Sequence, residues 1–251
     1  MSDYTIAQEY TLPSEGKVYS QDVKPLIRLR SMTTVEEMKR LNHSDRPYKT
    51  MAEIMDDCLL EGIGISAYDL CLPDYQYVLH KLRIVTYGTD YKLGSTCPYC
   101  GSVNNSVIDL DNLDVVPFNE DEYNKYSEFT LPVCQKKIKL RMQTPRMLDN
   151  ISVATKEHRK KNPASKGDPA FLFTLEHLID TIDGVAPLRF EIGPFVQSLS
   201  MKDTNYILKA AQKLNSMFGI DGTMTNTCRF CGLDYNSSFR TTSEFFGPSI
   251  D

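Results

Sequence analysis

The feature that most constrains this chain is a pair of matched Cys-x-x-Cys turns that lie about half the sequence apart. The first is TCPYCG at residues 96–101, and the second is TCRFCG at residues 227–232. Two thiolates at this spacing bind one edge of a metal ion, and the glycine that follows lets the backbone curl so that its N–H groups point at sulfur. A structural zinc ion takes four such ligands in a tetrahedron. The sequence therefore predicts one zinc ion held by Cys97, Cys100, Cys228 and Cys231, which joins the middle of the chain to its C-terminal part.

Three other interpretations of the cysteines remain open. Cys97-Pro98-Tyr99-Cys100 matches a glutaredoxin-type redox motif, but a redox site needs a helix after the nucleophile to lower its pKa, and the run after Gly101 indicates a strand. The pairs are alternatively unrelated core cysteines. A catalytic zinc is the third interpretation, although four thiolates leave no coordination position for water or substrate.

Composition narrows the class of protein. The chain has 251 residues, 41% of them hydrophobic and 24% charged, which is typical of a globular protein. We expect no membrane span, because no apolar run approaches the ~20 residues that cross a bilayer. The N-terminus lacks the pattern of a signal peptide, which predicts synthesis in the cytosol, where thiols stay reduced and favour metal binding over disulfides.

Charge argues against a general nucleic-acid binder, because the formal net charge is −5 and such proteins usually carry a basic face. Charge is uneven, however. An acidic stretch covers residues 109–128, and a basic stretch begins at Lys156 and ends at Lys166. The basic stretch is interpreted either as a solvated helix end and loop or as a docking patch for an acidic partner.

Hydrophobic periodicity predicts an α+β fold, with a helical unit, small antiparallel hairpins and a zinc-ribbon-like module built from the two Cys-x-x-Cys turns. Residues 1–22 are expected to be extended and weakly ordered. A capping box at Thr34 and Glu37 predicts a helix to about Leu41. Further helices are expected over residues 47–61, 73–87, 145–158, 169–182 and 200–217. Strands are expected over residues 27–30, 91–93, 106–110, 129–133, 137–142 and 239–242.

The order of these elements predicts five segments: an extended N-terminal arm and strand (1–32), a helical unit (33–90), the first zinc knuckle with hairpins (91–145), a helical segment (146–222), and the second zinc knuckle with a C-terminal tail (223–251). Phe245 and Phe246 are adjacent in that tail, and at least one of them is expected to pack on the protein or on a partner.

No set of catalytic residues is recognisable. The sequence has no P-loop, GxSxG, HExxH or Rossmann glycine motif. The four histidines share no ligand spacing, and Cys58, Cys71 and Cys134 are single. We therefore expect a protein that is not an enzyme.

Three motifs in this order carry a resemblance to a known family. They are LPSEGKVY at residues 12–19, RSMTTVEE at residues 30–37, and RIVTYGTDY at residues 83–91 ahead of the CPYCG knuckle. Together they resemble the baseplate hub and hub assembly proteins of T-even-type contractile-tailed bacteriophages. The resemblance covers about residues 12–145 and is thinner beyond them.

The resemblance implies a non-enzymatic role in building or forming the central hub of the tail baseplate. Partners would be other baseplate or tail hub proteins in an oligomeric assembly, without membrane binding. The place of action would be the host cytoplasm during assembly, with the virion as a further expected location. The alternative is a zinc-ribbon accessory protein that binds nucleic acid, for which the basic stretch is the main support beyond the knuckles.

Overall fold

A computed structural model describes residues 7–164, 166–239 and 243–246. Within these residues the fold combines α-helices with small antiparallel sheets, which confirms the predicted α+β class. The helices are α1 (Thr34–Leu41), α2 (Pro47–Cys58), α3 (Leu72–Tyr87), α4 (Glu120–Ser127), α5 (Pro145–Lys161), α6 (Pro169–Leu178), α7 (Arg189–Ser198) and α8 (Met201–Leu214). Short 3-10 turns lie at Ala67–Asp69, Leu110–Asn112 and Ser243–Phe246.

Every strand pairs antiparallel with its neighbours, in sheets of two or three strands. The strands are β1 (Ala7–Thr11), β2 (Leu26–Arg30), β3 (Asp90–Thr96), β4 (Val103–Asp109), β5 (Val115–Val116), β6 (Glu128–Thr130), β7 (Lys137–Leu140), β8 (Ile179–Ile182), β9 (Gly219–Ile220), β10 (Thr223–Thr227) and β11 (Asp234–Ser238). The sheets are β1–β2, β3–β4, β5–β9, β6–β7–β8 and β10–β11.

Four expectations from the sequence are wrong in detail. The expected helix over residues 169–182 ends at Leu178, because Ile179–Ile182 pairs with β7. The residue that caps α1 is Thr33 with Glu36, one position before the expected pair. The return strand of the second hairpin is Asp234–Ser238, and residues 240–242 of the expected strand lie outside the described residues. Ala7–Thr11 forms a paired strand, although residues 1–22 were expected to be weakly ordered.

Two hydrophobic cores organise the chain. The first core packs β2, α2 and α3 together with Leu110, Phe239, Phe245 and Phe246. The second core packs β7, α6, α7 and α8. Phe245 and Phe246 are both buried, which confirms the expectation that the tail aromatics pack. The division of the chain into five segments stays a prediction.

The motif LPSEGKVY fastens the N-terminal segment to α3 through the buried carboxylate of Asp74. This carboxylate accepts hydrogen bonds from the backbone N–H of Ser14 at 3.0 Å, from the Ser14 hydroxyl, and from the Tyr19 hydroxyl at 2.7 Å. The Tyr19 oxygen also accepts a bond from the backbone N–H of Cys71 at 3.1 Å. The two polar side chains of the motif thus anchor its turn on the first turn of α3.

The motif RIVTYGTDY surrounds Arg83, which is almost completely buried. Its guanidinium donates to the carbonyl oxygen of Phe245 at 2.9 Å and to that of Gly88 at 3.1 Å. It also lies 4.8 Å from the ring centroid of Tyr87 and 6.0 Å from that of Tyr91. Arg83 therefore ties the tail at Phe245 to α3 and to the start of the hairpin β3–β4.

Candidate metal centre

The first knuckle is the turn of residues 97–102 between β3 and β4. The pairing of Thr96 with Val103 closes the hairpin around the turn. The backbone N–H of Cys97 donates to the carbonyl of Ser102 at 2.9 Å, and that of Gly101 donates to the carbonyl of Cys97 at 2.9 Å. These bonds bend the chain so that both thiols lie on one side of the turn.

The second knuckle, residues 228–233 between β10 and β11, repeats this geometry. The backbone N–H of Cys228 donates to the carbonyl of Leu233 at 3.0 Å, and that of Gly232 donates to the carbonyl of Cys228 at 2.9 Å. The φ angles of Gly101 and Gly232 are 73° and 74°. This left-handed conformation favours glycine, which explains why a glycine follows each Cys-x-x-Cys pair.

The two knuckles face each other and bring their four sulfur atoms within 4.8 Å of one another. Cys97 Sγ lies 3.7 Å from Cys231 Sγ, and Cys100 Sγ lies 3.6 Å from Cys228 Sγ. A regular tetrahedron with metal–sulfur bonds of ~2.3 Å has sulfur–sulfur edges of about 3.8 Å. A disulfide, by contrast, has a sulfur–sulfur bond of ~2.0 Å. The spacing thus fits one tetrahedral metal ion.

Asn104 links the two knuckles directly and was not identified from the sequence. Its amide donates to Cys228 Sγ at 3.5 Å and to the carbonyl of Ser102 at 3.2 Å. Its carbonyl oxygen accepts a bond from the backbone N–H of Arg229 at 2.9 Å. A buried amide that holds a sulfur ligand in place is a typical outer-shell partner of a metal site. An asparagine four residues after a Cys-x-x-Cys pair gives no sequence signal that separates it from any other polar strand residue.

A second contact between the hairpins involves Ser95 on β3 and Tyr235 on β11, whose hydroxyl oxygens lie 2.7 Å apart. Tyr235 packs in a small cluster with the buried residues Cys97 and Cys228. Cys100 and Cys231 are exposed. Each knuckle therefore contributes one buried and one exposed cysteine.

Hydrogen bonds favour a thiolate at part of the cluster. The backbone N–H of Cys231, followed by that of Phe230 and the amide of Asn104, lowers the pKa of Cys228 to about 6. The Ser102 hydroxyl lowers the pKa of Cys100. A thiolate is the form that binds metal.

The four thiols do not all ionise readily by themselves. The backbone N–H of Leu233 favours the thiolate of Cys231, but partial desolvation within the cluster and the three neighbouring cysteines outweigh it and raise its pKa to about 12. Like charges this close resist ionising together. A divalent cation at the centre removes that repulsion, which is the chemistry expected of a tetrathiolate site.

In the described part of the chain, these cysteines form the one group of three or more candidate metal ligands. The three other cysteines lie apart from them, Cys58 and Cys71 buried and Cys134 exposed. The histidine ring of His80 is buried and hydrogen bonded to the carbonyl of Leu110 at 2.8 Å, in line with a structural histidine.

The fold and the site together define the class: an α+β protein in which a cluster of four cysteines joins two distant hairpins. A family model described as "T4 bacteriophage base plate protein" matches residues 4–247. Because this match spans nearly the whole chain, the chain belongs to that family. No curated protein and no solved structure matches it.

Family membership confirms the resemblance to T4-type baseplate proteins that the sequence motifs carry. It supports a structural role as a component of the phage tail baseplate, and with it association with other baseplate proteins. None of the helices in the described ranges is both long and apolar enough to span a bilayer.

Proposed function

We propose that this protein is a non-enzymatic component of the baseplate hub, or a factor that assembles the hub, and that one structural zinc ion holds its two knuckles together. The observation that carries the proposal is the coincidence of two findings. The baseplate family spans residues 4–247, and four sulfur atoms meet at tetrahedral spacing.

In this proposal Cys97, Cys100, Cys228 and Cys231 are the zinc ligands, and Asn104 is an outer partner that positions Cys228. Four thiolates fill the coordination sphere, so the ion stabilises the fold and takes no substrate. Zinc ions of this kind contribute binding free energy directly to folding. The ion would thereby fix the hairpin β10–β11 against β3–β4, and with it the tail that reaches Arg83.

The metal part of the proposal is tested by the zinc content of the purified full chain. We expect about one zinc per chain by elemental mass spectrometry, and loss of the metal in Cys97→Ser and Cys228→Ser. Cys134→Ser is the matched control, because its thiol is exposed and lies outside the cluster. A wild-type chain that binds no zinc, or that keeps it without Cys97 and Cys228, contradicts the proposal.

The assembly part is tested in infected cells with a tagged full chain. We expect the protein to sediment with baseplate intermediates from the host cytoplasm. Mass spectrometry of purified virions beside the lysate then separates a permanent hub subunit, present in both, from an assembly factor, present only in the lysate. A chain that never sediments with baseplate intermediates contradicts the assembly role.

The nucleic-acid alternative has less support from the geometry. Within the basic stretch, Lys156 pairs with Asp45 at 3.0 Å and Arg159 pairs with Asp168 at 3.0 Å, so part of its charge is neutralised. Phosphate binding would appear as a salt-dependent shift of DNA or RNA mobility. A redox role would appear as dithiol reductase activity of the zinc-free protein.

A further inference from the structure

Helix α1 is amphipathic, but it is oriented opposite to an ordinary surface helix. Its apolar side chains are Val35, Met38 and Leu41, which are 60%, 68% and 69% exposed. Their spacing of three residues places them along one face of the helix. A surface helix normally turns such a stripe toward the core, whereas here the stripe faces solvent. We call these three side chains the α1 stripe.

The face of α1 that points inward is charged. Glu36 is buried, and Glu37 and Arg40 are half-buried. Arg40 donates two hydrogen bonds to Glu37, at 2.8 and 2.6 Å. The Tyr87 hydroxyl also lies 3.4 Å from a carboxylate oxygen of Glu37. The pair of Arg40 with Glu37 is internal to α1, and the Tyr87 contact joins this charged face to the end of α3.

The motif RSMTTVEE supplies the attachment at Glu36. Arg30 on β2 donates to one carboxylate oxygen of Glu36 at 2.8 Å. The backbone N–H and the hydroxyl of Thr33 donate to the other oxygen, at 2.7 and 2.6 Å. Arg30 also donates to the carbonyl of Asp57 at 2.8 Å, which connects α1 to the end of α2.

This network fixes the rotation of α1 about its own axis. Turning the α1 stripe inward would break the pair between Arg30 and Glu36 and the contact between Tyr87 and Glu37. It would also leave Arg30 without its carboxylate, and removing one partner of a buried ion pair is strongly destabilising. Residues of the motif RSMTTVEE therefore hold the stripe in its outward position. The metal site does not account for this motif.

We infer that the α1 stripe docks into an apolar groove on a different protein subunit of the baseplate. The inference rests on the proposed function, because it takes the partner from the assembly in which the chain belongs. Docking of an amphipathic helix into an apolar groove through anchors three residues apart is a known mode of recognition. The motif RSMTTVEE then serves to present the helix to the groove.

The available area argues for a groove on another subunit rather than for a second copy of this chain. At two-thirds exposure, the three side chains offer together roughly 200 to 300 Å². A symmetric stripe-to-stripe contact would bury about twice that, well below the ~1,200–2,000 Å² of a specific interface. A groove that encloses the helix also covers its exposed flanks at Thr34, Lys39 and Asn42, and thus gains area that two convex helices do not.

The experiment uses the full chain in infected cells, with Met38 replaced by a photocrosslinking amino acid (Met38→p-benzoylphenylalanine). We expect irradiation to produce a cross-link to one baseplate subunit, identified by peptide mass spectrometry. The same amino acid at Lys209, an exposed position on α8, controls for general proximity and is not expected to cross-link to that subunit.

Polar variants then test whether the apolar stripe carries the contact. Val35→Ser with Leu41→Gln is expected to reduce the Met38 cross-link at least tenfold. Val185→Ser with Leu188→Gln removes two exposed apolar side chains elsewhere and is expected to leave it unchanged. Thermal unfolding of both double variants checks that the fold is kept, as expected for outward-facing substitutions.

The inference is overturned if position 38 cross-links to a second copy of this chain, or to nothing above the level at position 209. It is also overturned if the polar stripe variant cross-links as strongly as the wild type. Sedimentation of the same tagged chain with baseplate intermediates is recorded in parallel. A chain that sediments with them but fails the cross-link refutes the docking helix alone, whereas a chain absent from them refutes the proposed function.

Discussion

Removal of zinc should have a large and calculable effect on stability, because the metal joins two distant parts of the chain. Cys100 and Cys228 are 128 residues apart in the sequence. With ligands so far apart, the ion is expected to bind only the folded chain and to be released on unfolding, so it stabilises the fold by its binding free energy, about 4 kcal/mol when free zinc exceeds the dissociation constant about 1,000-fold. The same amount should be lost when the link between the knuckles is removed.

For a chain of this size, 1 kcal/mol corresponds to roughly 2–4 °C in Tm. We therefore expect Cys97→Ser, or complete chelation of the wild type, to lower Tm by roughly 8–16 °C in thermal unfolding followed by circular dichroism. Cys134→Ser should change Tm by no more than about 2 °C, because it keeps the four clustered thiols. Zinc content is measured on every sample, so that stability is compared with occupancy.

A Tm that moves by less than about 3 °C when zinc is fully removed refutes the reasoning. In that case the contacts of Asn104 and Tyr235 hold the hairpins together without the metal. A fall in Tm for Cys97→Ser, but none for the chelated wild type, would assign the effect to lost packing of the thiol rather than to lost metal.

Three further predictions concern the polar clusters. The Arg30 side chain lowers the pKa of Glu36 to about 2, so this pair stabilises the fold fully above pH ~4.5 and loses its contribution as pH falls toward 2. Because the arginine is partly exposed, solvent screening reduces this contribution to about 1–2 kcal/mol. In urea unfolding, the free energy of unfolding should therefore fall less between pH 7 and pH 3 in Glu36→Gln than in the wild type, by a corresponding amount. Equal pH dependence in both proteins would contradict this. Tyr19→Phe should cost about 1–2 kcal/mol in urea unfolding at pH 7, because it removes a donor to buried Asp74, and a cost below ~0.3 kcal/mol would show that the bond contributes little. Arg83→Met should speed amide hydrogen exchange in the segment Ser243–Phe246 by tenfold or more, since loss of the donor to the Phe245 carbonyl makes local opening of the segment easier, and unchanged exchange would show that packing alone holds the tail.

Local chemistry allowed much of the site to be predicted from the sequence. The spacing of the cysteines and the glycine after each pair are local features that define a knuckle, so the two turns could be recognised without knowledge of the rest of the chain. Prolines that begin α2, α5 and α6 at Pro47, Pro145 and Pro169 were equally clear, because proline is favoured in the first helical turn.

Pairing between distant segments limited the prediction elsewhere. Residues Ile179–Ile182 continue the helical pattern of α6, yet hydrogen bonds to β7 make them a strand, and no local signal contains that partner. The capping box was predicted at Thr34, but Arg30 on β2 pairs with Glu36, and the capping residue is Thr33. Strand β11 has the polar sequence DYNSS, so its pairing follows from the register set by the second knuckle rather than from hydrophobic alternation.

The polar groups that hold the cores could not be identified as such in advance. Asp74, Asn104 and Arg83 resemble ordinary surface residues in the sequence, but each is buried because its partners come from distant segments. Such contacts explain two of the three motifs that carry the family resemblance. In LPSEGKVY, Ser14 and Tyr19 bind Asp74, and in RIVTYGTDY, Arg83 binds Phe245. The third motif instead positions the α1 stripe.

The burial of Phe245 in the first core has a consequence for biosynthesis. That core also contains Leu12, so it is complete only when residue 245 has emerged from the ribosome. A growing chain that has not reached residue 228 lacks half of the cysteine cluster as well as the tail that binds Arg83. This core therefore cannot be completed before residue 245 is synthesised, and a fragment that stops before residue 228 lacks both the second pair of cysteines and the tail residue that accepts the Arg83 hydrogen bond.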